Sequence, residues 1–437
     1  MMKICLMNDS FPPVIDGVAN AVLNYARVIS AKRGECAVVT PEYPGAEYDY
    51  PFPVYTYPSL DTTKAFGYRT GLPLEPRLIP RLKEENFSLI HTHCPMISTL
   101  LARSLRTAAN VPVVFTYHTK YDLDIANALR GQLLQEAAVR MLVANIEACE
   151  EVWVVSRGAG ENLRQLGFRG EYRVMENGVD LPKGSVSPEA AKEAAAGFDL
   201  PAGIPVYLFV GRLMWYKGIR LILEGLAALK AAGKDFRMVF VGSGGDEAEI
   251  RAEAERLELG QKCVFTGPVR DREKLRGWYS RADLLLFPST FDTNGLVVRE
   301  AAACGLPALL IRDSCAAEGV TDGVNGFLIP EESAALFAAL DRLHGREEIL
   351  EQTGRKAMDD LYLSWENSVF RAWDRYEEIL AERHSRKKLA PTAEELSAFY
   401  GIQNILEEMR SRMWQQRGMR RNSGGSDRRP EDAGGRR

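Results

Sequence analysis

Two cations and two carboxylates in the second half of the 437-residue chain have the types and spacing to hold a diphosphate and a sugar. The cations lie in Val210-Gly211-Arg212-Leu213-Met214-Trp215-Tyr216-Lys217-Gly218, directly after the apolar run Val206 to Val210. With that run as a parallel strand, Arg212 and Lys217 stand at its C-terminal edge, where open α/β sheets bind ligands. A nucleoside diphosphate gains negative charge as it leaves a sugar, and a guanidinium with an ammonium neutralises that charge as a metal does elsewhere. The competing reading makes both of them solvated surface charges. The carboxylates, Asp292 and Glu300, frame Gly295 in a stretch that reads as strand, loop and then a helix opening near Leu296. The free amides of Gly295, Leu296 and Val297 at such a start suit a phosphate, and carboxylates accept hydrogen bonds from sugar hydroxyls. Otherwise Asp292 is a cap-like loop residue and Glu300 an ordinary helix acid.

The first half offers a weaker constellation. Ile4 to Met7 runs into a loop holding Gly17, and a helix begins at about Ala19. Strand, glycine loop and helix start are the geometry in which backbone amides face an anion, although the loop is not GxGxxG and a plain connecting turn fits equally. Thr116-Tyr117-His118-Thr119-Lys120-Tyr121 ends a strand and points His118 into the cleft between the halves; a lone histidine there is commonly structural. His91 and His93 have no third ligand at suitable spacing, so no zinc site is expected, and we read them as strand-end residues on the acceptor side.

These side chains need rigid strand ends to stand on. Short β-rich runs recur between helix-length segments: Ile4 to Met7, Ala37 to Thr40, Leu89 to His91, Val113 to Thr116 and Val152 to Val155, then Val206 to Val210, Met238 to Val241, Cys263 to Thr266, Leu284 to Phe287 and Ala308 to Ile311. Such runs imply parallel sheets covered on both faces, hence two doubly wound α/β domains, as the length also suggests. We expect an acceptor-side domain over 1–182, a donor domain over 200–360, one long amphipathic helix crossing back over 361–385, and a tail over 386–437. That tail reads as a helix from Glu394 to Met413 followed by a disordered end, with eight arginines against three acids from Ser411 onward.

Composition excludes other classes. A net charge of -4 with 46% hydrophobic residues gives no global attraction for nucleic acid. Seven scattered cysteines without a CxxC pair fit a reducing cytoplasm. No apolar run approaches the roughly twenty residues that span a bilayer.

Taken together, the Arg212–Lys217 element, the Asp292 to Glu300 segment, Gly242-Ser243-Gly244, Gly267-Pro268-Val269 and the Gly17 loop occur in the order of a known family. The chain resembles the family 4 retaining glycosyltransferases of the GT-B fold, with their Glu-x7-Glu and GR-x4-KG elements, to about Arg383. The resemblance implies that Arg212 and Lys217 hold the donor diphosphate, Glu300 the nucleotide ribose, and position 292 the donor sugar. It also implies nucleobase contacts near Val269 and Arg270, donor contacts at Gly17, Gly211, Gly242, Asn294, Gly295, Leu296 and Val297, and His118 beside the transferred sugar. Asp292 stands where the family commonly has Glu, drawing the carboxylate back by roughly 1.5 Å. Thr293-Asn294-Gly295 likewise replaces a more common Pro-Phe-Gly type of sequence. The motifs offer no carboxylate nucleophile, so the resemblance favours same-face attack, without metal or other cofactor.

Tyr117-His118-Thr119-Lys120-Tyr121 with His91-Thr92-His93-Cys94-Pro95 is similar to the diacylglycerol glucosyltransferases of this family. Gly67 to Lys83 interleaves cations with apolar residues, as suits an element meeting anionic headgroups, or an ordinary surface helix. We therefore expect a cytoplasmic enzyme, peripheral on the inner face of the cell membrane, moving glucose from a uridine diphosphate sugar to a diacylglycerol-type lipid. The alternatives are a mannosyltransferase using a guanosine diphosphate sugar on a lipid or polysaccharide, a nucleotide-sugar epimerase, and a non-catalytic sugar-nucleotide sensor.

Overall fold

The computed structural model describes residues 2–14, 16–62, 69–72, 77–121, 125 and 131–384. In the first half run β1 (Lys3–Met7), β2 (Glu35–Pro41), β3 (Val54–Tyr57), a small antiparallel pair of β4 (Ser59–Leu60) and β5 (Thr70–Gly71), then β6 (Leu89–Thr92), β7 (Val113–Tyr117), β8 (Glu151–Val154) and β9 (Tyr172–Val174). The second half holds β10 (Val206–Val210), β11 (Arg237–Val241), β12 (Cys263–Gly267), β13 (Leu284–Phe287), β14 (Ala308–Ile311) and β15 (Phe327–Ile329).

Both large sheets are parallel, ordered β3-β2-β1-β6-β7-β8-β9 and β12-β11-β10-β13-β14-β15. Strand order reverses beside β1 in one and beside β10 in the other, so each sheet has a crevice at the C-terminal ends of its central strands. This is the GT-B architecture, two Rossmann-like sheets in one chain. Central strands read as unbroken apolar runs because helices cover both faces, and every residue of β10 and β13 is buried. The strands β3, β9 and β15 were not expected. They lie at sheet edges and have only three or four residues, too few to display a period.

The helix expected over 361–385 is Trp365–His384, beginning four residues late because Leu361 still belongs to the preceding helix, Glu347–Leu361. Between them the chain turns extended at Tyr362, the Leu363 carbonyl accepts Val179 N–H at 2.9 Å, and Ser364 Oγ receives Asn367 N–H at 3.2 Å. The two crossings of the chain between the sheets therefore run side by side. Gly178 permits this, because a Cβ there would lie 2.3 Å from the Trp365 nitrogen. Helix Glu347–Leu361 belongs to the second lobe, through Leu350 in its core and Ala357 and Leu361 against Ala302. Helix Trp365–His384 crosses back to the first, where Val369, Ala372, Trp373 and Tyr376 join Ile4, Leu6 and Trp153 in one core. There Tyr376 stacks on Trp153 at 5.4 Å, and Arg375 Nε reaches both Glu151 oxygens at 3.0 Å.

Helix Leu78–Glu84 falls in the segment read as a membrane-facing element, but it turns Leu78 and Leu82 into the protein core. Its apolar face is therefore spent on packing, which corrects the interfacial reading for these residues. Much of the remainder of that segment, and the tail with the helix expected over 394–413, lies outside the described residues. Among the described residues no helix is long and apolar enough to cross a membrane.

Candidate active site

At the C-terminal end of β10 the chain makes a tight turn that presents Lys217. Gly211 N–H donates to Val241 O and Leu213 N–H to Ser243 O, both at 3.0 Å, while Asp246 Oδ2 takes the Trp215 amide at 2.8 Å. Gly242 is at φ +136°, and a Cβ there would stand 1.9 Å from the Gly211 carbonyl oxygen, so the two strand ends meet only through glycine. The short 3-10 turn Trp215–Lys217 then aims Lys217 Nζ at Asp292 Oδ1, 2.6 Å away. Both groups are poorly accessible, with side chains 9% and 22% exposed. The rings of Tyr216 and Phe291 flank the ammonium at 5.6 and 5.5 Å and excludes much of the water from it. Asp292 Oδ2 is buried with no partner among the described residues, leaving lone pairs free for a hydroxyl. Arg212 is exposed, its guanidinium 5.9 Å from the Tyr216 ring centroid.

Glu300 sits one turn inside helix Leu296–Ala303, and its carboxylate is held from two sides. Arg272 Nη2 donates to Oε1 at 2.7 Å and the Tyr279 hydroxyl to Oε2 at 2.8 Å. Neither residue was singled out from the sequence. Their seven-residue separation on helix Arg272–Arg281 puts them on one face, which was the available signal. Arg272 also lies 3.7 Å from Asp180 Oδ2, just past the first crossing. Val269 and the exposed Arg270 lie in the loop between β12 and that helix.

Three helix starts of the first lobe are already filled by carboxylates. Asp16 Oδ1 accepts the Val18 and Ala19 amides at 2.8 and 2.7 Å, so the helix begins at Gly17 instead of Ala19. The amides expected to face an external anion at the Gly17 loop are thus occupied by the chain's own anion. Asp9 likewise accepts Ile97 and Ser98 N–H at the start of helix Ile97–Ala109, at 3.1 and 2.7 Å. Glu318, from the second lobe, takes the Arg157 and Gly158 amides of helix Arg157–Gln165 at 2.8 and 2.6 Å. In contrast, helices Ile219–Ala231 and Leu296–Ala303 start on Gly218 and Gly295 with no side-chain cap. Their first amides have no intrahelical acceptor, and they flank the Lys217–Asp292 pair. These two starts, beside a secluded cation, are therefore suited to receive an anion.

Asn294 is engaged differently from the expected donor contact. Its amide nitrogen donates to Val155 O at 3.1 Å and its oxygen accepts from Arg299 Nε at 3.1 Å, so one of its two donors and one of its two lone pairs are committed within the protein. Arg299, also missed in the sequence, continues to Glu176 at 2.6 Å and to the Leu361 carbonyl at 3.2 Å.

His118 ends β7 inside a histidine cluster. Its Nε2 lies 2.9 Å from His93 Nδ1, and its Nδ1 3.4 Å from the Asn177 amide nitrogen. His91 and His93 have rings 4.0 Å apart, and His91 is bonded to the Tyr376 hydroxyl and Thr116 Oγ1 at 2.6 and 2.7 Å. With Asn177 donating to Nδ1, neutral His118 carries its proton on Nε2 and gives it to His93. The group His118 presents to the second lobe is its carbonyl, which accepts the Thr293 hydroxyl at 2.7 Å. Among the described residues no three His, Cys, Asp or Glu side chains are grouped as a metal would require.

Burial pushes the His118 ring down from 6.5 to about 3, and holds His91 and His93 well below the usual histidine range. All three are neutral in the folded protein near neutrality, whereas the unfolded chain takes up protons below about 6.5. Their contribution to stability is full above that pH and is lost as the pH falls below it, that of His118 as the pH falls toward about 3. Between pH 6.5 and 5, His118 alone is expected to remove about 2 kcal/mol. Urea unfolding at pH 7.5 and 5.0 checks this, and an unchanged midpoint contradicts it.

The family model described as Glycosyltransferase Family 4 matches residues 15–183, and that described as Glycosyl transferases group 1 matches residues 192–359. An alpha-monoglucosyldiacylglycerol synthase from Streptococcus pneumoniae is 23% identical over 398 residues, covering 89% of this chain and 88% of that protein. A GDP-mannose-dependent alpha-mannosyltransferase from Corynebacterium glutamicum is 26% identical over 340 residues, 75% of this chain and 76% of that protein. Among solved structures, a sucrose-phosphate synthase from Thermosynechococcus elongatus superposes with a TM-score of 0.71 at 22% identity, covering 87% of this chain and 100% of that one.

Proposed function

As the chain belongs to the family 4 glycosyltransferases of the GT-B fold, we propose that it moves glucose from uridine diphosphate glucose to a diacylglycerol-type lipid, retaining the anomeric configuration. The observation that carries this reading is the secluded Lys217–Asp292 pair, with one carboxylate oxygen unpartnered, between two uncapped helix starts. Such an arrangement suits a sugar hydroxyl on one side and a diphosphate on the other.

In this reading the diphosphate lies against Lys217, Arg212, the amides following Gly295, and the Gly211–Gly242 strand ends. Glu300, steadied by Arg272 and Tyr279, accepts the ribose hydroxyls, and the base lies near Val269 and Arg270. His118 borders the transferred sugar from the first lobe. The acceptor hydroxyl attacks the anomeric carbon on the face the diphosphate leaves. The new carbon–oxygen bond forms as the sugar–phosphate bond breaks, and the acceptor proton passes to the departing phosphate oxygen. Lys217 and Arg212 supply the positive charge, so no metal is required. Leu133 and Leu134, 79% and 60% exposed on the first lobe, supply an apolar surface suited to a lipid acceptor on the inner face of a membrane.

The test is hexose transfer in EDTA from radiolabelled uridine diphosphate glucose or guanosine diphosphate mannose to diacylglycerol in vesicles of phosphatidylglycerol. Labelled glucolipid is the expected product. Mannolipid alone overturns the donor assignment, activity lost in EDTA overturns the metal-free assignment, and transfer from neither donor overturns the acceptor class.

A further inference from the structure

The loop that carries Asp292 is fastened across the lobe boundary by the two residues that follow it. Thr293 Oγ1 donates to the His118 carbonyl at 2.7 Å, and the Thr293 carbonyl accepts the Ser156 hydroxyl. Asn294 Nδ2 donates to Val155 O at 3.1 Å. Two residues upstream of Asp292, the Thr290 carbonyl accepts Lys120 Nζ at 3.1 Å. His118 follows β7, and Val155 and Ser156 follow β8, so two neighbouring strand ends of the first sheet grip one loop of the second.

The direction of each bond is fixed by chemistry. Carbonyl oxygens only accept, so the Thr293 and Ser156 hydroxyls donate. Arg299 Nε only donates, so the Asn294 oxygen must face it and the amide nitrogen must face Val155. A Pro-Phe pair at 293 and 294, the more common type there, has no side-chain donor for any of these contacts. The two contacts that depend on the side chains at 293 and 294 would be lost with such a pair, whereas those accepted by the Thr290 and Thr293 carbonyls would not.

We propose that Thr293 and Asn294 are positioning residues that set Asp292 for transfer only while the two lobes are in contact. The proposal rests on the transferase reading for its kinetic arm. Loss of the clasp frees the loop from the first lobe, while the Lys217–Asp292 pair, Arg212 and Glu300 all remain within the second lobe. Nucleoside diphosphate affinity and turnover are thus separable.

Thr293→Val keeps shape and removes the donor, Asn294→Leu removes the second donor, and Thr293→Ser restores the hydroxyl. The measurements on the full chain are turnover with saturating uridine diphosphate glucose, uridine diphosphate affinity by calorimetry, thermal midpoint, and radius of gyration by small-angle scattering. Thr293→Val and Asn294→Leu are expected to lower turnover about tenfold each and to raise the radius of gyration, with diphosphate affinity within about twofold of the parent. Thr293→Ser is expected to behave as the parent in every measurement. A fall in thermal midpoint alone, with turnover and radius unchanged, makes these contacts merely structural and overturns the proposal. So does a turnover loss that Thr293→Ser shares. If the parent transfers no hexose, the transferase reading fails, and the scattering comparison still decides whether the clasp holds the lobes together.

Discussion

Lys217→Ala lowers turnover by a factor of about 10² to 10³, the range found when one donor is removed from a charge-stabilising site. The loss falls on the rate at saturating donor more than on the donor KM, because the diphosphate charge is greatest as the sugar bond breaks. The environment makes this group hard to replace. The ammonium is withdrawn from water between two rings and oriented by Asp292, so little rearrangement is needed when charge develops. Arg212→Ala costs less, since that guanidinium is exposed and screened by solvent. Single-turnover rates with each variant, beside a thermal midpoint to show intact folding, provide the check. A Lys217→Ala variant that loses only KM contradicts the role in bond breaking.

Asp292→Ala produces the second large effect, and its two parts have opposite signs. Turnover falls by about 10², because the sugar loses the acceptor that orients it. The ligand-free protein loses about 3 kcal/mol, because Lys217 keeps a secluded charge without its partner. Uridine diphosphate, however, binds more tightly than to the parent, since the phosphates no longer compete with a carboxylate for the ammonium. The ligand therefore restores much of the lost stability by mass action. Thermal midpoints with and without uridine diphosphate test the linkage. Equal ligand-induced shifts in parent and variant contradict it, and show that Lys217 does not exchange Asp292 for phosphate.

What could be read from the amino acids alone follows from where the information resides. The runs Val206 to Val210, Leu284 to Phe287 and Ala308 to Ile311 have the same limits as β10, β13 and β14, since a buried parallel strand is apolar along its entire length. The helix opening at Leu296 was equally visible, being announced by a glycine after a polar loop. The helix break at Tyr362 was not, because Leu361, Trp365 and Val369 keep a helical spacing while the backbone between them is drawn out to pair with Val179. Nor could local pattern reveal that Asp16, Asp9 and Glu318 occupy three helix starts, since two of these acids are about 90 and 160 residues from the amides they satisfy. The Arg272 and Tyr279 contacts to Glu300 are of the same kind. Loops at strand ends meet by topology, and no periodicity records which of their side chains face one another.

The return of helix Trp365–His384 to the first sheet has a consequence for how the molecule is made. Apart from Val179, Leu181 and Ala195, the second lobe's core comes from the unbroken stretch between Val206 and Leu350. The first lobe's core lacks Val369, Trp373 and Tyr376 until more than 370 residues have left the ribosome. During synthesis the half that emerges first is therefore the half completed last, and its Trp153 and Ile4 surface waits uncovered while the later half can already fold as a unit.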